Sequence, residues 1–319
     1  MQRRCFGRRM VVLSTLIFVA AAASEARAGL IIDPTFNANM NAQQQAAVNY
    51  VIGEYEHLYT NNITLNISFQ MGNTGLGESN STVEGSFTYA QIKAALAAEA
   101  LANPGDSIKQ TVVANLPATN PAPTNNYWLS TADAKALGLD NYGGSDGAVT
   151  FSNAVSYTYD PNNRGVAGEY DFIGVAEHEI SEVMGRIPGL GSDYGNGASY
   201  DLNDLYRFTN GVRNFTVDQS DPPGVYLSIN GGSTNVVNFY SQGDDNDDYR
   251  GDNPTDPYNQ FAGEGQAHAL TTADMINMDA IGYNLAQATP EPASLTLLAT
   301  GCFAFGGLRV VRRRRRAIA

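Results

Sequence analysis

The sequence predicts an α+β domain, with helices and a mixed sheet in its first half and loops through most of its second. Apolar residues recur at helical spacing over residues 40–61 and then alternate with polar ones. Further helix and strand patterns follow as far as residue 184, and beyond Gly185 the chain turns rich in Gly, Asn and Asp. With 319 residues, 43% of them hydrophobic, it can bury a substantial core.

In MNAQQQAAVNYVIGEYEHLYTN, Val48, Val51, Ile52, Tyr55, Leu58 and Tyr59 fall on one helical face. Ile63, Leu65, Ile67 and Phe69 then alternate with Thr64, Asn66 and Ser68, the pattern of a half-buried strand. YAQIKAALAAEALAN predicts a second helix that stops at the breaker NPGD. WLSTADAKALGL predicts a short helix capped by Ser130 or Thr131. GAVTFS and VSYTYD are strand candidates leading into a helix over 172–184, GVYLSI is a later strand, and LTTADMINMDAIGYNL is the last helix.

The two ends are addresses rather than fold. A basic start, the apolar run VVLSTLIFVAAAA and ARA predict a signal peptide, residues 1–28, cut after Ala28. Residues 287–319 carry Pro290, Glu291 and Pro292, an apolar run, and five consecutive arginines, Arg312 to Arg316. This order resembles a PEP-CTERM sorting tail. As a helix, residues 293–311 would span roughly 28 Å, close to a hydrocarbon core, with the arginines held on the cytoplasmic side. The resemblance implies membrane anchoring through the tail, then processing by an exosortase-like enzyme and release to the cell surface or extracellular matrix.

Eleven of the 19 basic residues lie in these ends, so the body, residues 29–286, is far more acidic than the chain's net charge of −13. Such a surface repels nucleic acid, which is excluded as a partner. Both cysteines, Cys5 and Cys302, also lie in the ends, so the body has no disulfide.

The stretch VAEHEISEVMGR carries the chemistry. On a helix, His178 and Glu182 are four residues apart and project from one face, so both can reach one ion. Glu179 sits about 100° round, the position that in His-Glu-x-x-His enzymes carries the general base. The same spacing also fits a solvated acidic stripe of Glu177, Glu179 and Glu182.

HEISEVMGR resembles the metzincin signature, with Glu182 at the second histidine and Gly185 at the glycine. More widely, WLSTADAKALGL, DFIGVAEHEISEVMGR, YDLNDLYRF, YLSINGGSTN and DMINMDAIGYNL resemble a family of PEP-CTERM proteins described as bacterial metalloproteases, over roughly residues 30–286. The resemblance implies a metzincin-like zinc peptidase domain with a mixed twisted sheet, an active-site helix and a loop-rich C-terminal half. It also implies His178 and Glu182 as ligands, Glu179 as catalytic base, and a protein or peptide substrate. The alternative is a non-catalytic surface protein that keeps the fold.

Two departures bear on the third ligand: Pro188 stands where the third metzincin histidine belongs, and 186–274 holds no methionine. Asp204, 22 residues after Glu182, is the first candidate, with His268 and Asp201 as alternatives. Two carboxylates would neutralise a divalent ion, favouring Zn²⁺ with a less acidified water or a harder ion such as Mn²⁺. Asp244, Asn246 and Asp248 alternate as in calcium loops, which makes Ca²⁺ a second expected ion, although Tyr249 stands where an EF-hand needs glycine.

Overall fold

The computed structural model describes residues 29–286 apart from position 196 and the segments 217–223 and 241–245. The leader, the sorting residues Pro290, Glu291 and Pro292, and Asp244 therefore lie outside the described residues. The architecture is α+β. Among the described residues no helix is long and apolar enough to cross a membrane.

Strand β1 (Ile31–Phe36) is followed by α1 (Ala42–Leu58) and β2 (Thr64–Gly72). β1 and β2 are parallel, so a crossover must join them, and α1 supplies it. Asn41 starts α1 with a capping box: its side chain accepts from the Gln43 and Gln44 amides while Gln44 reaches back to the Asn41 amide. Val48, Val51, Ile52 and Tyr55 are buried, as their spacing predicts. Leu65, Ile67 and Phe69 are likewise buried on one face of β2.

Strand β3 (Gly77–Ser81) and β4 (Val83–Phe87) come next, then α2 (Tyr89–Ala102) and α3 (Ser107–Asn115). The NPGD breaker does end α2, but its Asp106 caps α3, accepting from the Ile108 and Lys109 amides. α3 hides from a periodicity search because its buried face includes a charge, Lys109, paired with Asp279 at 2.8 Å.

WLSTADAKALGL is split rather than wholly helical. Trp128 and Leu129 belong to β5 (Tyr127–Ser130), which pairs with β4, and only α4 (Thr131–Ala136) is helix, capped by the Ser130 hydroxyl on the Asp133 amide at 3.0 Å. β6 (Gly147–Ser152) lies parallel to β2 and antiparallel to β3, giving the order β1-β2-β6-β3 with β3 at the edge. VSYTYD reduces to β7 (Tyr157–Thr158), parallel to β8 (Tyr170–Asp171).

Helix α5 (Phe172–Val183) packs against β3 and α1. Asp171 caps it, accepting from the Ile173 amide, and Gly185 ends it at φ +112°, where a Cβ would lie 2.3 Å from Asp133 Cγ. The second half carries a small antiparallel sheet of β9 (Arg207–Thr209), β10 (Val212–Arg213), β11 (Tyr226–Leu227) and β12 (Val237–Asn238). α6 (Thr272–Ala280) follows, opened by a Thr271–Asp274 capping box. Arg186 and Arg207 are fully buried among these loops, so each must have a partner close by.

Candidate metal centre

α5 presents His178, Glu179 and Glu182 to a cavity of about 650 Å³ whose opposite side is formed by β3 and the segment before it. Glu177 and Glu179 are buried, which removes the solvated-stripe reading. The third member of the cluster arrives from the far end of the sequence. His178, Glu182 and Asp248 each offer a ligand atom within 4.8 Å of the others, a set that could hold a metal ion. His178 Nε2 stands 3.2 Å from Glu182 Oε1 and 3.4 Å from Asp248 Oδ1.

The supporting shell aims these atoms. His178 Nδ1 lies 2.8 Å from the Pro257 carbonyl; donating there turns Nε2 to the carboxylates, where it can exchange its proton for an ion. Ser79 Oγ donates to Glu182 Oε2 at 2.7 Å, and Ser81 Oγ donates to the Glu182 carbonyl at 3.0 Å. Between Gly77 and Glu179 there is no room for a side chain: a Cβ on Gly77 would lie 2.2 Å from Glu179 Oε1. Gly77, Ser79 and Ser81 thus share the period of two that turns one strand face toward α5. That alternation of small residues was the available sequence signal for them.

Arg186 closes the far side. It donates to Asp248 Oδ1 at 2.7 Å and to Ser181 Oγ at 2.8 Å, lies 3.5 Å from Glu182 Oε1, and stacks over Tyr258 at 4.6 Å. In the metal-free protein the charges balance internally. Burial opposes a charge on His178, but Asp248 and Glu182 hold its pKa up at about 10. Burial likewise opposes ionisation of Glu182, yet His178 and Arg186 bring it down to about 2. For Asp248, burial prevails over His178 and Arg186, and the carboxyl rises to about 6. Burial, then the neighbouring Glu182 charge, push Glu179 well above the usual carboxylate range.

The donor set, one imidazole nitrogen and two carboxylate oxygens, fits a divalent cation. Counting Arg186, the centre with such an ion would carry one positive charge, so the neutral centre expected from two carboxylates needs correcting. Asp248, rather than the expected Asp204, stands with His178 and Glu182 in the set that could hold an ion. Asp204 is instead buried beside Asp201, each carboxylate accepting the other's amide at 3.0 and 3.1 Å. The reason is local: the turn Asn203–Tyr206 directs both acids into the body rather than toward α5.

His268 lines the cavity but is not in the His178, Glu182 and Asp248 set. Its amide donates to Asp171 Oδ2 at 2.8 Å, and its ring packs where a Cβ on Gly174 would stand. The calcium expectation changes as well. Asp248 faces His178 and Arg186, whereas Asn246 is buried with its backbone carbonyl on Arg207 Nη1.

No family model, curated protein or solved structure matches the chain. Fold and site together define an α+β domain with a candidate His/Glu/Asp metal centre set between a helix and the edge strand of a sheet.

Proposed function

We propose that this chain is an exported, surface-sorted, metal-dependent peptidase with a metzincin-like domain. The observation that carries the reading is the presence of Glu179 in the same cavity as the His178, Glu182 and Asp248 ligand set. When bound, zinc or a harder ion such as manganese would supply Lewis-acid polarisation of the scissile carbonyl and lower the pKa of the attacking water. His178, Glu182 and Asp248 would hold it; Ser79 and Arg186 orient the two carboxylates. Glu179, whose carboxyl is held up by burial and the Glu182 charge in the metal-free pocket, would be eased toward the proton-accepting form by positive charge added beside it. Its proton then has a nearby destination, the leaving amine. β3, the last strand of its sheet, borders the cavity and offers an extended peptide a strand to lie beside. The leader and the sorting tail support export and exosortase-like processing.

One observation favours a second reading. His178, Asp248, Glu182 and Arg186 already form a closed ion cluster, as a surface protein without turnover would keep. Metal analysis of the full chain purified without chelators, joined to peptide cleavage, decides between them. The peptidase reading expects about one ion per chain, retained in Glu179→Gln while cleavage falls roughly 10²- to 10⁴-fold. Substoichiometric metal with no cleavage by the parent would establish the ion cluster instead.

A further inference from the structure

A second group of acids lies behind the first, and its polar atoms are only half used. Asp201 Oδ1 and Asp204 Oδ2 each accept a backbone amide, and Asp247 Oδ1 accepts from Arg207 Nη1 at 3.2 Å. The other oxygen of each, Asp201 Oδ2, Asp204 Oδ1 and Asp247 Oδ2, is buried without a hydrogen-bond partner. Asn203 is fully buried; its amide nitrogen is turned to Asp247, and its Oδ1 has no partner. Asn246 Oδ1, one residue along, is buried and unpartnered as well.

A buried polar atom without a partner is destabilising, so five such oxygens in one region call for a ligand. Burial holds all three carboxyls above their usual range without an ion; ionised by a bound cation, they would leave two net negative charges against Arg207, the complement of a dication. The donors are all oxygen, carboxylate and amide, which selects a hard ion.

We propose that Asp201, Asn203, Asp204, Asn246 and Asp247 form a structural calcium site. These carboxylates stand wider apart than the 4.8 Å of the His178 set, so the ion would draw them inward and complete its six to eight oxygens with water. Of the predicted calcium donors among the described residues, Asn246 takes part and Asp248 does not. The adjacent aspartates divide the work, Asp247 turning to this site and Asp248 to His178, so calcium fixes the segment that delivers Asp248. The assignment does not depend on peptidase activity.

The test is calcium titration of the chelator-treated full chain by calorimetry, with thermal unfolding alongside. The parent should bind one calcium per chain and melt higher with it. His178→Ala should keep this binding, whereas Asn203→Ala and Asp204→Asn should weaken it at least tenfold. No uptake at millimolar calcium overturns the site, leaving water or protons on these oxygens. So does uptake that survives in both Asn203→Ala and Asp204→Asn, or that disappears in His178→Ala. Should neither variant fold, terbium provides a second readout: bound here, it is sensitised by Tyr127 and Tyr200, which border Asp204, and unsensitised terbium overturns the assignment.

Discussion

Gly77 has the sharpest consequence of any single residue. A methyl group there would meet Glu179 Oε1, so on the proposed function Gly77→Ala should displace the proposed base while sparing the proposed ligands. Peptide cleavage is expected to fall roughly 10²-fold, the effect of about 1 Å of misplacement, with metal content unchanged. Loss of the ion in Gly77→Ala would contradict this. His178 makes a pH-dependent prediction. Its pKa is raised from the ordinary 6.5 to about 10 in the metal-free protein, so its contribution to stability is fully present below about pH 6.5 and is lost as pH rises through about 10. Urea unfolding of the metal-free parent and His178→Gln should therefore converge across that window. For the same reason metal uptake at pH 7 should release about one proton from His178, measurable by calorimetry in buffers of different ionisation heat.

At the scale of an element, α1 and α5 both begin at a side-chain cap but differ in what the cap holds. Asn41 serves its own helix, so Asn41→Ala should cost about 1 kcal/mol in urea unfolding. Asp171 caps α5, pairs with Arg164 at 2.9 Å and anchors the His268 amide. Asp171→Ala also takes one of its two carboxylate partners from the half-buried Arg164, which keeps Glu177, and frees the His268 amide, so it should cost more, about 2–3 kcal/mol. Equal losses for the two variants would mean that the Arg164 and His268 contacts contribute nothing. Packing of α5 against β3 and α1 buries it on nearly every side and leaves His178 and Glu182 half-buried at the cavity, which is why its acids form a pocket rather than a solvated stripe.

Across the whole molecule, buried charge takes the place of disulfides in tying elements together. Asp146 accepts from Lys135 Nζ, Thr131 Oγ1 and the Asn66 amide, each at 2.7 Å, joining α4 to β2 beside the start of β6. Lys135→Met would leave Asp146 buried without its cation, at a cost of about 3–5 kcal/mol in urea unfolding. Little change would mean that the hydrogen bonds alone hold Asp146. Such pairs are hard to foresee from sequence, because residues like Lys109 and Lys135 read as solvent-facing until a partner from another element meets them.

Local order was legible in the sequence because it rests on short-range physics. The periodicity of residues 40–69 places α1 and β2, the His-Glu-x-x-Glu spacing puts His178 and Glu182 on one helix face, and Ser130 caps α4. Even so, Trp128 and Leu129 go to a strand, because pairing with β4 outweighs their place in a helical pattern. What only the tertiary structure decided is which distant oxygens meet which helix. Asp204, Asp247 and Asp248 are the same chemical group on loops of similar composition, and nothing local tells them apart. Buried cations sort them: Arg186 draws Asp248 to His178, and Arg207 draws Asp247 toward Asp201 and Asp204. A buried charge must be met within a few ångströms wherever its partner lies in the chain, so the assignment of acids to sites is a property of the packed fold.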